Sequence, residues 1–223
     1  NLTNDNNKIN LRKCSNLVDA IWNDRPRRKL QSIETHPQKF SGISSRTKRT
    51  MIAQSIENNG AEVVVLTKPE SICWLLNIRG KDISHTPIVQ CYAIVTRRST
   101  VKVFFREETL SRKIMRFLGT DVEVLNISTF SVFISSLKEE NIQIDPASCP
   151  IAIFDLLKSH NKNILEHIDP CILPKAKKNS IEISGAKKAH LIDGAAFIRF
   201  LHWLDSFKSP KDLDEITITK TLE

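Results

Sequence analysis

The sequence predicts an α/β fold in which a mixed β-sheet is flanked by helices. Between residues 60 and 168, short β-branched runs alternate with amphipathic helical segments, which is typical of a sheet covered by helices. The run AEVVVL (61–66) is continuously apolar, as expected of a strand buried on both faces. The chain has 223 residues, 40% of them apolar, which is enough to bury a substantial core.

A helix over 44–59 introduces the first half of the predicted sheet, and Gly60 suits the left-handed residue that ends it. The strand 61–66 and a short helix over 69–76 follow, because Pro69 fits a first helical position. The loop NIRGKDISHTP then leads into a hairpin with strands over 90–96 and 100–105. The residues assigned to the apolar side of the first helix are Thr47, Met51, Ile52 and Ile56.

The second half of the predicted sheet alternates helices with strands. We expect helices over 107–119, 128–141 and 146–159, although IAIF in the last of these also fits a strand. The apolar stripe of the first of these helices is Leu110, Ile114, Phe117 and Leu118. The strands expected in this half are 122–127, 142–145 and 163–168.

Charge and cysteine content exclude several classes of protein. The net charge is +8, but residues 1–50 carry +7 of it, and their cations are not interleaved with aromatic residues as in a nucleic-acid surface. No apolar run has the roughly 18 residues of a membrane span. The five cysteines form no CxxC pair and are interpreted as reduced, buried thiols, which indicates a cytoplasmic protein without a metal site of its own. We therefore expect neither nucleic acid nor a membrane as a partner.

The long helix near the C-terminus carries an apolar stripe, and the few residues that follow the helix are too short to cover this stripe. It lies in NSIEISGAKKAHLIDGAAFIRFLHWLD (179–205), after a Pro- and Lys-rich connector. Its stripe is Ile181, Ala186 or Ala189, Ile192, Ala196, Phe200 and Trp203. A helix of this kind usually opens a domain, and the sequence also lacks an initiator Met. We therefore expect the chain to be a piece of a longer protein.

Three segments together resemble one family, the three-domain Xaa-Pro aminopeptidases, also called aminopeptidase P. They are NLVDAIWNDRP (16–26), ESICWLLNIRGKDISHTPIV (70–89) and KKNSIEISGAKKAHLIDGAAFIRFLHWLD (177–205). The resemblance covers nearly the whole chain, in the family's order. It implies that 1–40 is the tail of an N-terminal domain with a linker, that 41–170 is a creatinase-like second domain, and that 171–223 holds a connector and the first helices of a truncated pita-bread catalytic domain.

The resemblance also implies an activity for the parent protein. Members of this family are hydrolases that release the first residue from peptides with proline at the second position. Two divalent metal ions, expected to be Mn²⁺, activate a water molecule there. None of the family's five metal ligands matches a residue of this chain, so the resemblance assigns no catalytic or metal-binding residue here and implies that the fragment alone is inactive. A homodimer is a further expectation, since dimers are common in the family.

Three residues are candidates for a position near the substrate. Arg79 could bind a substrate carboxylate with two hydrogen bonds, or it could form an ion pair with Asp82 within the domain. Trp74 is interpreted as a core residue, with a substrate-lining role as the alternative. His85 is either a polar loop residue or a substrate contact.

A second hypothesis comes from another class of protein. Creatinase-like folds also occur as pseudoenzymes that bind peptides or proteins without metal. Motifs for serine hydrolases, HExxH metallopeptidases and nucleotide-binding loops do not occur in the sequence, so those classes have no support.

Overall fold

The structure is a computed structural model, and it describes residues 14–26, 32–106, 111–207 and 213–222. These residues fall into two compact units, the first within 14–26 and the second comprising the other ranges. The first unit contains helix α1 (Leu17–Ile21), which begins where the Asn16 side chain accepts a hydrogen bond from the Val18 amide. Trp22, which ends this helix, is 45% exposed.

A mixed sheet of six strands forms the centre of the second unit, as the sequence predicts. Its spatial order is β6, β5, β4, β2, β7, β8. The strands are β2 (Val63–Leu66), β4 (Tyr92–Thr96), β5 (Val101–Phe105), β6 (Val122–Asn126), β7 (Asn141–Ile144) and β8 (Asn163–Glu166). Strands β2, β4 and β5 pair antiparallel, whereas β2–β7, β7–β8 and β5–β6 pair parallel. A separate two-stranded ribbon joins β1 (Glu34–Thr35) to β3 (Ile78–Arg79).

Helices cover both faces of this sheet. The helices in the described part of this unit are α2 (Gln38–Ser41), α3 (Ser45–Asn58), α4 (Pro69–Leu76), α5 (Arg112–Leu118), α6 (Phe130–Ser135), α7 (Ile151–Ser159), α8 (Ile172–Ala176), α9 (Ser180–Asp205) and α10 (Glu215–Leu222), and the last two lie away from the sheet. The central strand β2 alternates between two cores, because successive side chains of a strand point to opposite faces. Val64 and Leu66 pack with α3 and α4, whereas Val63 and Val65 pack with α6 and α7.

Most predicted elements are confirmed, and the helix alternative for IAIF is the correct one. Residues shortly before position 41 also pack with the second unit, because Ile33 is buried in its core and β1 pairs with β3. Of the loop NIRGKDISHTP, Ile78 and Arg79 form strand β3. The helix predicted over 128–141 is shorter, since α6 ends at Ser135 and a 3₁₀ turn over 127–129 precedes it. Leu110 lies outside the described residues.

The predicted apolar faces of two helices are partly wrong. Thr47 is exposed and Met51 is 42% exposed, because α3 turns Lys48 and Arg49 inwards instead. Phe117 of α5 is likewise 39% exposed, whereas Ile114 and Leu118 are buried. The interpretation of the cysteines as buried thiols holds for Cys73, Cys91 and Cys171, but Cys14 is exposed and Cys149 is partly exposed.

Helix α9 starts with a capping box, in which the Asn179 side chain accepts hydrogen bonds from the Ile181 and Glu182 amides and Glu182 accepts one from the Asn179 amide. The helix packs against α2 and α10, yet none of its 26 residues is buried, and Ile192 is 71% exposed. Aromatic rings partly shield its C-terminal end. Their centroids are 6.1 Å apart for Phe197–Phe200, 5.8 Å for Phe200–Trp203 and 5.0 Å for Trp203–Phe207. None of the helices that the structure describes combines the length and apolar content needed to cross a membrane.

Candidate functional site

Arg79 lies between two cavities at one edge of the second unit. The loop cavity has a volume of about 510 Å³ and is lined by Glu34, 79–81 and 83–87. The basic cavity has a volume of about 590 Å³. Its lining is His36, Lys39, Phe40, Arg79, Lys178, 181–182, 184–186 and Lys188. Arg79 therefore lines both spaces.

The Arg79 side chain is held from one side only. Its Nη1 donates to the carbonyl oxygens of Cys73, at 3.3 Å, and Ile78, at 2.8 Å. Within the described residues, Nε and Nη2 make no hydrogen bond, and neither belongs to the fully buried polar atoms without a partner, so both retain some contact with solvent. The ion pair with Asp82, which the sequence offered as an alternative, is not formed, because Asp82 accepts from the Gln90 amide instead.

A buried lysine holds the turn that carries Arg79. Lys48 is 1% exposed, and its Nζ donates to the Trp74 carbonyl oxygen at 3.0 Å and to Asn77 Oδ1 at 2.7 Å. Asn77 ends α4 in a left-handed conformation and donates through Nδ2 to the Ile43 carbonyl oxygen. These bonds tie α3 to the turn between α4 and β3.

Burial and neighbouring cations shift the protonation equilibria here. Burial lowers the pKa of Lys48 from 10.5 to about 8, and the Glu182 carboxylate partly opposes this effect. The pKa of His36 is also lowered, first by burial and then by the charges of Arg79 and Lys48. The neutral imidazole is therefore the favoured form of His36 at neutral pH.

The loop cavity is formed by a tight turn. Gly80 passes so close to the segment before β4 that an added Cβ would lie 2.6 Å from Val89 Cγ2. Ile83 and Thr86 form an isolated bridge, and His85 between them has a φ of 59°. Lys81 and Glu34 pair across the cavity at 3.8 Å, so its opposite charges are partly matched.

The three predicted site residues therefore have different surroundings. Arg79 and His85 line the same cavity, whereas Trp74 lines neither of the two cavities. Trp74 is 6% exposed and belongs to the core, with the Lys48 ammonium 4.4 Å from its ring centroid. Its interpretation as a core residue agrees with this position.

Within the described ranges, no group of three or more His, Cys, Asp or Glu side chains is arranged to hold a metal ion. Two of the cysteines, Cys149 and Cys171, do not offer an activated thiolate in its place. Burial raises the pKa of Cys149 to about 11 and that of Cys171 well above its usual range.

Sequence reasoning missed Lys48, His36, Asn77 and Glu182 as parts of this site. The relevant contacts join residues far apart in sequence, such as Lys48 with Asn77 and Asn179 with Ser41. One signal was available in the sequence. Lys48 and Arg49 are at helical spacing from the apolar Ile52 and Ile56, which places both cations on the apolar side of that helix.

Comparison with known families gives a match over residues 24–182, to the creatinase/prolidase N-terminal domain. Among curated proteins, aminopeptidase P1 of Arabidopsis thaliana is 30% identical over 219 residues, covering 86% of this chain and 34% of that protein. Xaa-Pro aminopeptidase 1 of Dictyostelium discoideum is 33% identical over 198 residues, covering 85% of this chain and 31% of that protein. This chain thus spans about a third of the length of these relatives.

The solved structures agree with these matches. X-prolyl aminopeptidase from Caenorhabditis elegans, described as a cytosolic enzyme with a dinuclear active site, superposes with a TM-score of 0.83 at 26% identity. The match covers 93% of this chain and 35% of that one. An Xaa-Pro dipeptidase from Bacillus anthracis shares the fold with a TM-score of 0.60 at 13% identity, covering 81% of this chain and 48% of that chain.

Proposed function

This chain belongs to the creatinase/prolidase N-terminal domain family, and on that premise we propose that it is part of an Xaa-Pro aminopeptidase. The parent enzyme releases the first residue from peptides with proline at the second position. The observation that carries the proposal is the match over 93% of the chain, at a TM-score of 0.83, to an enzyme of that activity. We also propose that the parent is cytoplasmic and uses two divalent metal ions, which the description of that enzyme as cytosolic with a dinuclear active site supports. Mn²⁺ is suited to such a site if its ligands are mainly carboxylates.

The chain contributes substrate-binding surface rather than the hydrolytic centre. We assign the metal ligands to sequence outside these 223 residues, because none of the family's five ligand positions matches a residue of this chain. The chain alone is therefore inactive. In the parent, 1–40 is the tail of the preceding domain with a linker, whose last residues pack on the next domain. Residues 41–170 are the creatinase-like domain, and 171–223 hold a connector and the first helices of the pita-bread catalytic domain.

The exposed apolar residues of α9 support this division. Leu191, Ile192 and Ile198 are 76%, 71% and 68% exposed, which is unusual for one helix of a folded domain. In the proposed arrangement they pack against the rest of the catalytic domain. Arg79 and His85, which line one open cavity, are then the side chains of this chain closest to the substrate, with Trp74 supporting them from the core.

Activity of the full-length protein tests this proposal. Supplied with Mn²⁺, the full-length protein should cleave an Xaa-Pro dipeptide, lose activity in a chelator and leave the matched Xaa-Ala dipeptide largely intact. The 223-residue chain should show no turnover under the same conditions. Peptide binding by the full-length protein without any turnover would instead favour a metal-free binding module, and turnover by the short chain would overturn our assignment of the metal ligands.

A second measurement addresses Arg79 and His85. Substituting either residue by alanine in the full-length protein should raise KM for the peptide more than it lowers kcat, because neither residue touches the metal centre in this scheme. Lys138→Ala, at an exposed position, provides the control. Unchanged KM in both variants would remove them from the substrate site.

A further inference from the structure

We propose that the basic cavity between α2, β3 and the first turns of α9 binds an oxyanion, presented by a carboxylate or a phosphate group. This inference goes beyond the peptidase activity and holds for the 223-residue chain by itself. It rests on the charges that line the cavity, on the Nε and Nη2 groups of Arg79 that make no hydrogen bond within the described residues, and on the hydrogen bonds that fix Arg79 and the cavity walls.

The cavity is lined by an excess of positive charge. Lys39, Arg79, Lys178 and Lys188 face it, and Glu182 is its single carboxylate. Among the described residues, none of the four cations has a carboxylate oxygen within 4.0 Å. A cleft lined mainly by one sign of charge concentrates ions of the opposite sign. The loop cavity differs in this respect, since its Lys81 pairs with Glu34.

Glu182 offsets the charge of these cations only in part, because it is one carboxylate facing four cations. Its Oε2 accepts the Asn179 amide at 3.0 Å and so completes the capping box of α9. The buried Lys48 adds a further cation beneath the cavity, and within the described residues it bonds a carbonyl and an amide oxygen but no carboxylate. The local charge is therefore left for a ligand to balance.

Arg79 supplies the matching geometry. Its Nη1 is occupied by the Cys73 and Ile78 carbonyls, whereas the edge formed by Nε and Nη2 is open. This edge presents two parallel N–H groups at the spacing of the two oxygens of a carboxylate or phosphate. The side chain is already held, so a ligand would have to order little of it on binding.

The walls of the cavity are fixed as well. Asn179 Nδ2 donates to the Ser41 carbonyl oxygen at 2.9 Å, which joins the start of α9 to the end of α2. Gly42 permits this contact, because a Cβ there would lie 2.4 Å from Asn179 Oδ1 and its φ is 71°. Lys48 fixes the opposite wall through the Trp74 carbonyl and Asn77. The cationic groups thus surround a space with defined borders.

The test is a titration of the 223-residue chain with inorganic phosphate and, separately, with succinate, at constant ionic strength and followed by amide NMR shifts. Saturable shifts at Arg79 and Gly185 are expected. Saturation by both anions, or by one of them, supports the site, and the pattern identifies whether phosphate or carboxylate is the group recognised. The absence of saturable shifts with either anion overturns the proposal.

Two variants make the test specific. Glu182→Gln keeps an acceptor for the capping box but removes the single carboxylate that lines the basic cavity. The affinity for the anion should therefore rise by about threefold to tenfold. Arg79→Lys keeps the charge and loses the fork, so affinity should fall by about tenfold. An unchanged or lower affinity in Glu182→Gln contradicts the electrostatic argument.

A matched pair on α9 separates the site from general surface charge. Lys188 lines the basic cavity, whereas its neighbour Lys187 lies on another face of the helix. Lys188→Ala should weaken binding by about threefold, and Lys187→Ala should change it by less than about twofold, since salt screens charges outside the cavity. Equal losses in both variants would show that the anion meets only a diffuse positive surface.

Discussion

Replacing Lys48 by methionine should remove a specific dependence of stability on pH. The ammonium is 1% exposed, and burial lowers its pKa from 10.5 to about 8. Between these two values the unfolded chain binds a proton that the folded chain has released, so the free energy of unfolding rises with pH in this window. Below pH 8 both states are protonated, and the folded state bears the full effect of the buried charge.

The magnitude follows from the difference between the two pKa values. At about 1.36 kcal/mol per pKa unit, the free energy of unfolding should increase by roughly 3 kcal/mol between pH 8 and 10.5. The Lys48→Met variant should lack this increase. At neutral pH the variant also loses two hydrogen bonds, to the Trp74 carbonyl and to Asn77, so its stability there is set by opposing effects and is less informative than the slope.

The measurement is urea denaturation of both proteins at several pH values from about 7 to 10.5, followed by circular dichroism. Subtracting the two profiles removes the titration of groups that the proteins share. Lys138→Met, at an exposed position, serves as the control and should follow the wild-type profile. Parallel profiles for wild type and Lys48→Met across this range would refute the reasoning.

Three further predictions concern individual positions in the second unit. Gly42→Ala should lower the free energy of unfolding by about 2–4 kcal/mol, because the φ of Gly42 is 71° and the new Cβ would displace the Asn179 cap. Gly60→Ala is the control and should cost only about 1–2 kcal/mol, because Gly60 has a similar φ of 74° but no atom within 4 Å of the new Cβ. Equal losses in thermal unfolding would contradict this. Ser71→Ala should leave the unfolding temperature unchanged or raise it, since the buried Ser71 hydroxyl has no hydrogen-bond partner among the described residues. Asn77→Ala should lower stability by about 3 kcal/mol in urea denaturation, because it removes one of the two acceptors of the buried Lys48 and a donor to the Ile43 carbonyl, and it places alanine in a left-handed conformation. A loss under about 1 kcal/mol would argue against this role.

The sheet could be predicted because its signals are local. Val63–Leu66 is continuously apolar and forms the central strand, and Tyr92–Thr96 and Val101–Phe105 are joined by a short polar turn. The length of α6 could not be predicted in this way. The apolar residues of 128–141 fit a longer helix, yet the Ser135 and Ser136 hydroxyls bond the Ser131 and Phe133 carbonyls at its end.

The site was predicted only in part, because its interactions are not local. Arg79 and His85 were recognisable as polar residues on a loop, and they do line one cavity. The inward position of Lys48 was not recognisable, since the groups that accept its hydrogen bonds belong to residues 74 and 77. A helical period identifies which residues share a face, but it does not show that a distant carbonyl makes burial of a charge tolerable.

Helix α9 is attached near its first residue and is free of deep packing along the rest of its length. Asn179 makes that attachment by capping the helix and bonding the Ser41 carbonyl. The helix has 26 residues, so at 1.5 Å per residue it is about 39 Å long. A tilt of about 10° at Asn179 would therefore move the far end of the helix by about 7 Å. A single amide side chain thereby sets the angle at which the sequence after α9 leaves the sheet.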